Sequence, residues 1–499
     1  MDYRKLFQKE YIFLYLIVLI GAFLRLQGVF TNSFAFTYDV GRDMLALYNI
    51  VHLHKISLIG ATTGLPGVFY GPWWYLMLTP FFIIFSGNPQ GIALTMALVG
   101  IASIILGYFF GKKIGGNFLG LSMAALISVS SNMVSLASQI WNPNVSPVFV
   151  ILVLFVLDKI YSSETKNKPL YYFFLGVFLA LIMDLEIVFG LLLSAAIIIS
   201  VALTVNKKIP LKGLVLFILG ELIIFSPRIL FELRHQFLMT KSFINYFSGG
   251  GSVHSGNSII NIFLNRLAIF FDQFNSTLAA GNSILGIIIL LLIIFCFVFY
   301  YRKSSPVIKS FINTSILVIA VFLIGTVFFS HDIWPHYLVG LPVFYILLFS
   351  IALYLLGKNS LNIAIPYLIL IVLFIANLNL LSVYQSLTRP LWVGDASVYR
   401  NQVAVIDYVY NQANGKPFKY VVYTPPVYDY TYQYLFLWYG PEKYHYKPSL
   451  QSSLAYFILE PDTQYPSRLA DWLKARRGDG KIVKSEKLPS GIVVQTRTH

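Results

Sequence analysis

About eleven apolar stretches, most close to the roughly 20 residues that a helix needs to cross a bilayer, constrain what this chain can become. They fall near 11–30, 91–111, 117–137, 145–160, 170–188, 189–205, 213–226, 283–301, 309–329, 334–356 and 361–383. The hydrocarbon core offers no water to the backbone, so each stretch must satisfy its own hydrogen bonds as a helix. The reading is an α-helical polytopic membrane protein of about 11 spans. Of 499 residues only 11% are charged, against roughly a quarter in soluble domains. The 42 Phe and 33 Tyr suit aromatic belts at the membrane interfaces. The net charge of +15 is not a nucleic-acid footprint, because no Lys/Arg run exceeds a few residues. Basic residues that orient membrane helices account for it, and no nucleic-acid partner is expected. The single cysteine, Cys296, can form no intramolecular disulfide. The first span is longer than a signal-peptide core, and no small-residue cleavage site precedes Asn32, so it reads as a retained anchor.

Loop charge settles the threading. The segment 70–86 is apolar but short and carries two prolines. If it crossed, Lys112 and Lys113 would fall outside and every later basic loop would invert. If it only dips into the outer leaflet, the inner loops collect Arg4/Lys5/Lys9, Lys112/Lys113, Lys159/Lys166/Lys168, Lys207/Lys208/Lys212, Arg302/Lys303/Lys309 and Lys358. The outer loops at 138–144 and 330–333 then hold no Lys or Arg. The positive-inside rule favours the second case. The expectation is a multi-pass plasma-membrane protein with its N-terminus cytoplasmic and its C-terminus outside.

Two outer loops are long, at about 31–90 and 227–282. In the first, Met44, Leu47, Val51 and Leu53 approach helical spacing, which predicts an amphipathic helix on the membrane with Asp39 as N-cap. In the second, Ser226-Pro227 reads as the N-cap and first residue of a new helix, and Gly249-Gly250-Gly251-Ser252 as a mobile loop. From about 384 the composition shifts. A helix near 396–413, strands near 418–424, 454–459 and 481–497, and a helix at 466–477 predict a small extracytoplasmic α/β domain over 384–499, beside a membrane domain of 1–383.

Chemistry collects on the outer side. Asp39 and Asp43 stand one helical turn apart, with Arg42 beside them. That pattern suits a solvated helix start, a base made usable by partial desolvation, or a divalent cation such as Mg²⁺ or Mn²⁺. Arg228, Arg234 and His235 suit a phosphate at a helix N-terminus, or snorkelling to lipid head groups. Asp184 and Glu186 interrupt a long apolar run, where carboxylates are costly, or they form its turn. Trp141-Asn-Pro-Asn144 is the polar tip of an uncharged loop, and His331, His336 and Tyr337 lie at another outer boundary.

In this order the features resemble GT-C class membrane glycosyltransferases, particularly the dolichyl-phosphate-mannose-protein mannosyltransferase (family 39) and aminoarabinose transferase group. The carriers are Phe36-Thr-Tyr-Asp39-Val-Gly-Arg-Asp43, Tyr70-Gly-Pro-Trp-Trp-Tyr75, Lys112-Lys113, Trp141-Asn-Pro-Asn144 and His336-Tyr-Leu-Val-Gly-Leu-Pro342. The resemblance spans about 1–383; the terminal domain matches only as an outer appendage. It implies an inverting transferase that moves a sugar from a polyprenyl-phosphate donor to a protein, lipid or glycan acceptor. It implies Asp39 as the base, with Arg42, Asp43, Tyr70, Asn144 and Glu186 in support. Arg228, Arg234, His235, His336 and Tyr337 would hold the lipid phosphate. Where the group often has Asp-Glu this chain has Asp39-Val40, and Asn144 stands where a second acid is often found, which leaves metal use and acceptor type open. Two other classes remain: a transporter or flippase of lipid-linked saccharides, which would gather polar residues near the bilayer midplane, and a non-catalytic envelope-assembly protein.

Overall fold

The apolar runs become helices in the computed structural model, which describes residues 9–162, 168–205, 209–248, 258–329, 332–359, 364–378, 395–425 and 428–498. In chain order they are α1 (Lys9–Phe30), α2 (Tyr38–Leu53), α3 (Trp73–Ile84), α4 (Pro89–Gly115), α5 (Asn117–Val129), α6 (Ser131–Ala137), α7 (Ser146–Tyr161) and α8 (Lys168–Leu185). They continue with α9 (Ile187–Val205), α10 (Leu211–Arg234), α11 (Leu238–Ser248), α12 (Ile259–Leu278), α13 (Ser283–Tyr300), α14 (Pro306–Val327), α15 (Leu341–Asn359) and α16 (Ala364–Asn377). Among the described residues nine helices are long and apolar enough to cross a membrane, ten if α5 and α6 make one bent span. The 14-residue α16 lies in the eleventh expected run, whose two ends fall outside the described residues. The span containing α15 is 94% buried and forms the centre of the bundle, whereas α10 is 17% buried and lies at its edge.

Side-chain contacts fix the up-and-down order. Lys113 Nζ meets Asp158 Oδ2 at 2.7 Å, joining the end of α4 to the end of α7. Lys112 Nζ lies 4.9 Å from the Tyr11 ring at the start of α1, so these three ends share one face of the bundle. On the opposite face, α3 both begins and ends: Trp73 N donates to Asp184 Oδ2 at 3.3 Å, and Gly87, just past α3, accepts from the hydroxyl of Tyr434 at 2.5 Å. Its 12 residues rise about 18 Å, short of the roughly 30 Å hydrocarbon core, so it dips without crossing.

Three local expectations are corrected. The run 117–137 is not one straight span: α5 and α6 meet at 63°. Carbonyls freed at that break are taken by the buried Arg25 of α1, whose Nη1 and Nη2 donate to Ser128 O and Ile127 O at 2.9 and 2.8 Å. Freed backbone groups inside a membrane need such a partner. Likewise, Ser226-Pro227 does not begin a helix. α10 runs through Pro227 to Arg234, and Ser226 Oγ bonds back to Ile223 O at 2.8 Å, supplying a polar contact beside the missing proline N–H. Finally, the N-cap of α2 is Thr37, which places Asp39 inside the first turn. The Gly249–Ser252 stretch and His331 lie outside the described residues.

The C-terminal segment folds as an α/β unit with strands β1 (Lys419–Tyr423), β2 (Leu454–Leu459), β3 (Lys481–Lys487) and β4 (Val493–Thr498). Their order is β1-β2-β4-β3, with β1 parallel to β2 and the other pairs antiparallel. The helices Tyr399–Ala413 and Pro466–Ala475 stand where the apolar spacing puts them, and two more, Tyr430–Leu437 and Tyr439–Tyr444, lie between β1 and β2. The unit is not a loose appendage. Phe36 N donates to Ser397 O at 2.7 Å, Tyr399 N to Phe34 O at 3.1 Å, and the Phe34 and Tyr399 rings stack at 4.9 Å. At Gly41 the backbone of α2 comes so close that a Cβ would lie 2.4 Å from Thr431 N. Met44 and Leu47, read as a membrane-facing stripe, are instead buried with Tyr432 and Tyr434 in a joint core.

Candidate functional site

The first turns of α2 carry an acid, a base and a second acid within five residues, and the structure binds them into one unit. Asp39 Oδ1 accepts from Arg42 Nη1 at 2.6 Å, while Arg42 Nε and Nη2 donate to Asp43 Oδ1 at 3.0 and 2.8 Å. Asp43 is 1% exposed. A buried carboxylate is stable only when paired and hydrogen-bonded, and α3 completes its set: Trp74 Nε1 donates to Oδ2 at 2.8 Å and Tyr75 OH to Oδ1 at 3.1 Å. Asp43 therefore fixes Arg42, and Arg42 orients Asp39, whose side chain keeps 25% of its surface exposed. The spacing in sequence exposes the α2 triplet but not Trp74 and Tyr75, which arrive from 31 and 32 residues away.

A second cluster forms where the loop before α3 meets the α8–α9 turn, α10 and the segment before α15. Arg228 Nη2 lies 2.9 Å from Asp184 Oδ1, and Tyr70 OH donates to Glu186 Oε2 at 3.0 Å. Gly71 has no room for a side chain, since a Cβ would sit 1.6 Å from Asp184 Oδ1. Burial pushes the Glu186 carboxyl up to about 8, so it holds its proton at neutral pH. His336 Nε2 is 3.9 Å from Glu186 Oε2, beyond a hydrogen bond, and packs edge-on against Trp141 with ring centres 4.9 Å apart. Tyr337 lies beside His336 at 4.6 Å. The ion pair with Asp184 is not aligned as a hydrogen bond: Arg228 Nε and Nη2 have no hydrogen-bond partner among the described residues. A buried guanidinium with donors to spare suits an anionic oxygen. The two clusters adjoin at the start of α3, where Trp73 N donates to Asp184 and the neighbouring Trp74 Nε1 to Asp43.

Not every expected residue joins them. Arg234 ends α10 as an exposed residue. His235 follows it, stacked on Phe231 at 4.1 Å with Nδ1 2.9 Å from the Phe231 carbonyl. Arg228 lies well inside α10, so no helix N-terminus adds to a phosphate site there. Asn144 Nδ2 donates to Gln139 O at 3.2 Å and Asn142 to Leu185 O, which shapes the loop that carries Trp141.

The carboxylates do not fit a divalent cation. Asp39 and Asp43 turn their Oδ1 atoms to the Arg42 guanidinium, which occupies the place between them that a metal would need. Among the described residues no three His, Cys, Asp or Glu side chains come together as a metal set.

Asp39 opens onto a cavity of about 700 Å³. One wall is Phe36, Tyr38 and Trp141; the other belongs to the C-terminal unit, with Gln402, Thr424, Tyr428 and Glu460. These C-terminal residues escape detection in sequence: Gln402 sits within an ordinary amphipathic helix pattern and Glu460 just past a strand end.

No protein-family model matches this sequence, and no curated protein matches it. Among solved structures it is similar to ArnT from Cupriavidus metallidurans in the apo state, with a TM-score of 0.61 and 13% identity over 97% of each chain. It is also similar to ArnT bound to undecaprenyl phosphate, with a TM-score of 0.58, 13% identity and the same coverage of 97% of each chain. A weaker likeness, TM-score 0.48 and 13% identity over 85% of this chain and 61% of that one, is to the Archaeoglobus fulgidus oligosaccharyltransferase. The two ArnT matches show that this chain has the ArnT fold.

Proposed function

We propose, with the ArnT fold as premise, that the protein is an inverting glycosyltransferase that moves a sugar from a polyprenyl-phosphate donor to an acceptor hydroxyl at the outer face of the plasma membrane. The observation that carries this reading is the pairing of Asp39, oriented by Arg42 at the edge of a cavity, with the incompletely bonded guanidinium of Arg228 on the same face. ArnT, the protein of like fold, binds undecaprenyl phosphate.

In the reaction, Asp39 takes the proton of the acceptor hydroxyl as its oxygen attacks the anomeric carbon from the face opposite the phosphate. The anomeric C–O bond breaks, and its electron pair leaves with the polyprenyl phosphate. Arg228, with His336 and Tyr337 nearby, stabilises the charge that grows on the leaving oxygen. Acid and acceptor come together on the membrane domain, 1–383, while the α/β domain, 384–499, closes one side of the cavity. The N-terminus is cytoplasmic in this reading, since the helix ends near Lys112, Lys113 and Asp158 share the face opposite the site. A transporter would hold its polar set near the midplane, but Asp43, Asp184 and Glu186 all gather at one end of the bundle.

The test is transfer of labelled sugar from polyprenyl-phosphate donors in membranes carrying native protein or Asp39→Asn. Loss of about 10²–10⁴-fold in rate is expected for removal of a general base. Undiminished transfer by the variant removes Asp39 from that role, and absence of transfer from every donor by the native protein removes the transferase reading.

A further inference from the structure

The cavity over Asp39 carries its own information about what enters it. No Lys, Arg or His is among the described residues that line it, while Asp39, Asp395 and Glu460 are. Such a lining offers no cationic side chain to a phosphate or carboxylate, which would be desolvated there without a partner. The occupant is therefore not the anionic part of the donor, which has Arg228, and it is not an anionic acceptor.

The wall supplied by the C-terminal unit is polar in a particular way. Gln402 is 2% exposed, yet its Oε1 has no hydrogen-bond partner among the described residues. Its Nε2 lies 3.4 Å from Glu460 Oε1, which also accepts from Tyr432 OH at 2.8 Å. The buried Ser490 Oγ also lacks a partner among the described residues. Leaving such groups unpaired is costly, so their presence at a cavity wall signals a ligand that completes them. The aromatic residues Tyr38 and Trp141 also line the cavity. Side-chain amide, carboxyl and hydroxyl groups together with aromatic rings match the two surfaces of a pyranose: hydroxyls at the rim and C–H groups on the face.

We infer that this cavity is the acceptor subsite and that it selects a neutral, hydroxyl-rich saccharide, with Gln402 and Glu460 as its specificity-determining residues. The inference rests on the transferase reading, because the acceptor hydroxyl must reach Asp39. An acceptor with a phosphate would find no Lys, Arg or His among the described residues of the lining.

The experiment uses full-length protein in lipid nanodiscs with a panel of polyprenyl-phosphate sugars as donors. The acceptors are neutral disaccharides (maltose, cellobiose, chitobiose and mannobiose), the same sugars phosphorylated, and Ser/Thr peptides. Mass spectrometry follows the products, and donor hydrolysis to free sugar is measured in parallel. Transfer to at least one neutral disaccharide is expected, with phosphorylated sugars and peptides at least 10-fold poorer in kcat/KM. Gln402→Ala and Glu460→Gln should raise KM for the disaccharide about 10-fold or more while kcat stays within a few-fold. The native comparison stands even if a variant fails to fold. Transfer only to peptides or phosphorylated sugars overturns the saccharide inference and leaves the transferase reading intact, as does an unchanged KM in both variants. Donor hydrolysis without transfer to any saccharide also overturns it. No consumption of any donor in the panel of polyprenyl-phosphate sugars overturns the transferase reading itself, and the inference with it.

Discussion

The indole of Trp74 donates to the buried carboxylate of Asp43 across 2.8 Å, and through that bond α3 holds the arginine that orients Asp39. A helix that does not cross the membrane thus sets the geometry of the acid that faces the cavity. Asp43→Ala strands the Arg42 charge along with the Trp74 and Tyr75 donors. Breaking a buried pair by removing one partner costs about 3–5 kcal/mol. A clear fall in thermal stability is expected, with transfer lowered at least as far as in an Arg42→Gln variant. A thermal melt in detergent together with the labelled-sugar assay checks this; native stability in Asp43→Ala contradicts the bonding described.

Arg228 serves both Asp184 and, in the proposed reaction, the leaving phosphate. Arg228→Gln should therefore lose stability through the uncompensated Asp184 and lose transfer through the missing cation, the latter by about 10²–10³. Adding Asp184→Asn should recover much of the stability and none of the transfer. Recovery of both would make the arginine purely structural.

Stability should also depend on pH through Glu460, whose carboxyl burial raises to about 7. For an acid with a raised native pKa, the contribution is fully present below the unfolded value of about 4.5 and is lost as pH rises through the folded value. The melting temperature should fall between about pH 5 and pH 8, by an amount matching up to about 3 kcal/mol. Glu460→Gln should flatten this dependence. An equally steep profile in the variant assigns the loss to another group.

Topology offers an independent check. In a Cys296→Ser background, a cysteine at Lys112 should resist an impermeant thiol reagent in whole cells. One at Lys484, on the exposed edge strand β3, should react. The opposite pattern inverts the threading and moves the site to the cytoplasmic face.

The parts legible in sequence are those that local chemistry dictates. Hydropathy and loop charge mark the spans, and β-rich runs mark β1, β2 and the β3–β4 hairpin, because each depends only on neighbours along the chain. What sequence hides are bonds between distant segments. Nothing near 117–137 announces that Arg25, about 100 positions earlier, takes the carbonyls of a broken helix. Pro227 reads as a helix start by its usual preference, yet α10 continues through it. Asp39 and Arg42 stand out by their spacing. Gln402 and Glu460 do not, since they enter the site only when the C-terminal unit packs on α2 at Gly41 and on the segment before it.

The meeting of α2 and the helix Tyr430–Leu437 at Gly41, where no side chain intervenes, has a mechanical meaning. Main chain rests on main chain, so the two walls of the cavity cannot slide past one another as soft side-chain contacts would allow. To widen the aperture over Asp39, these two backbones would have to part.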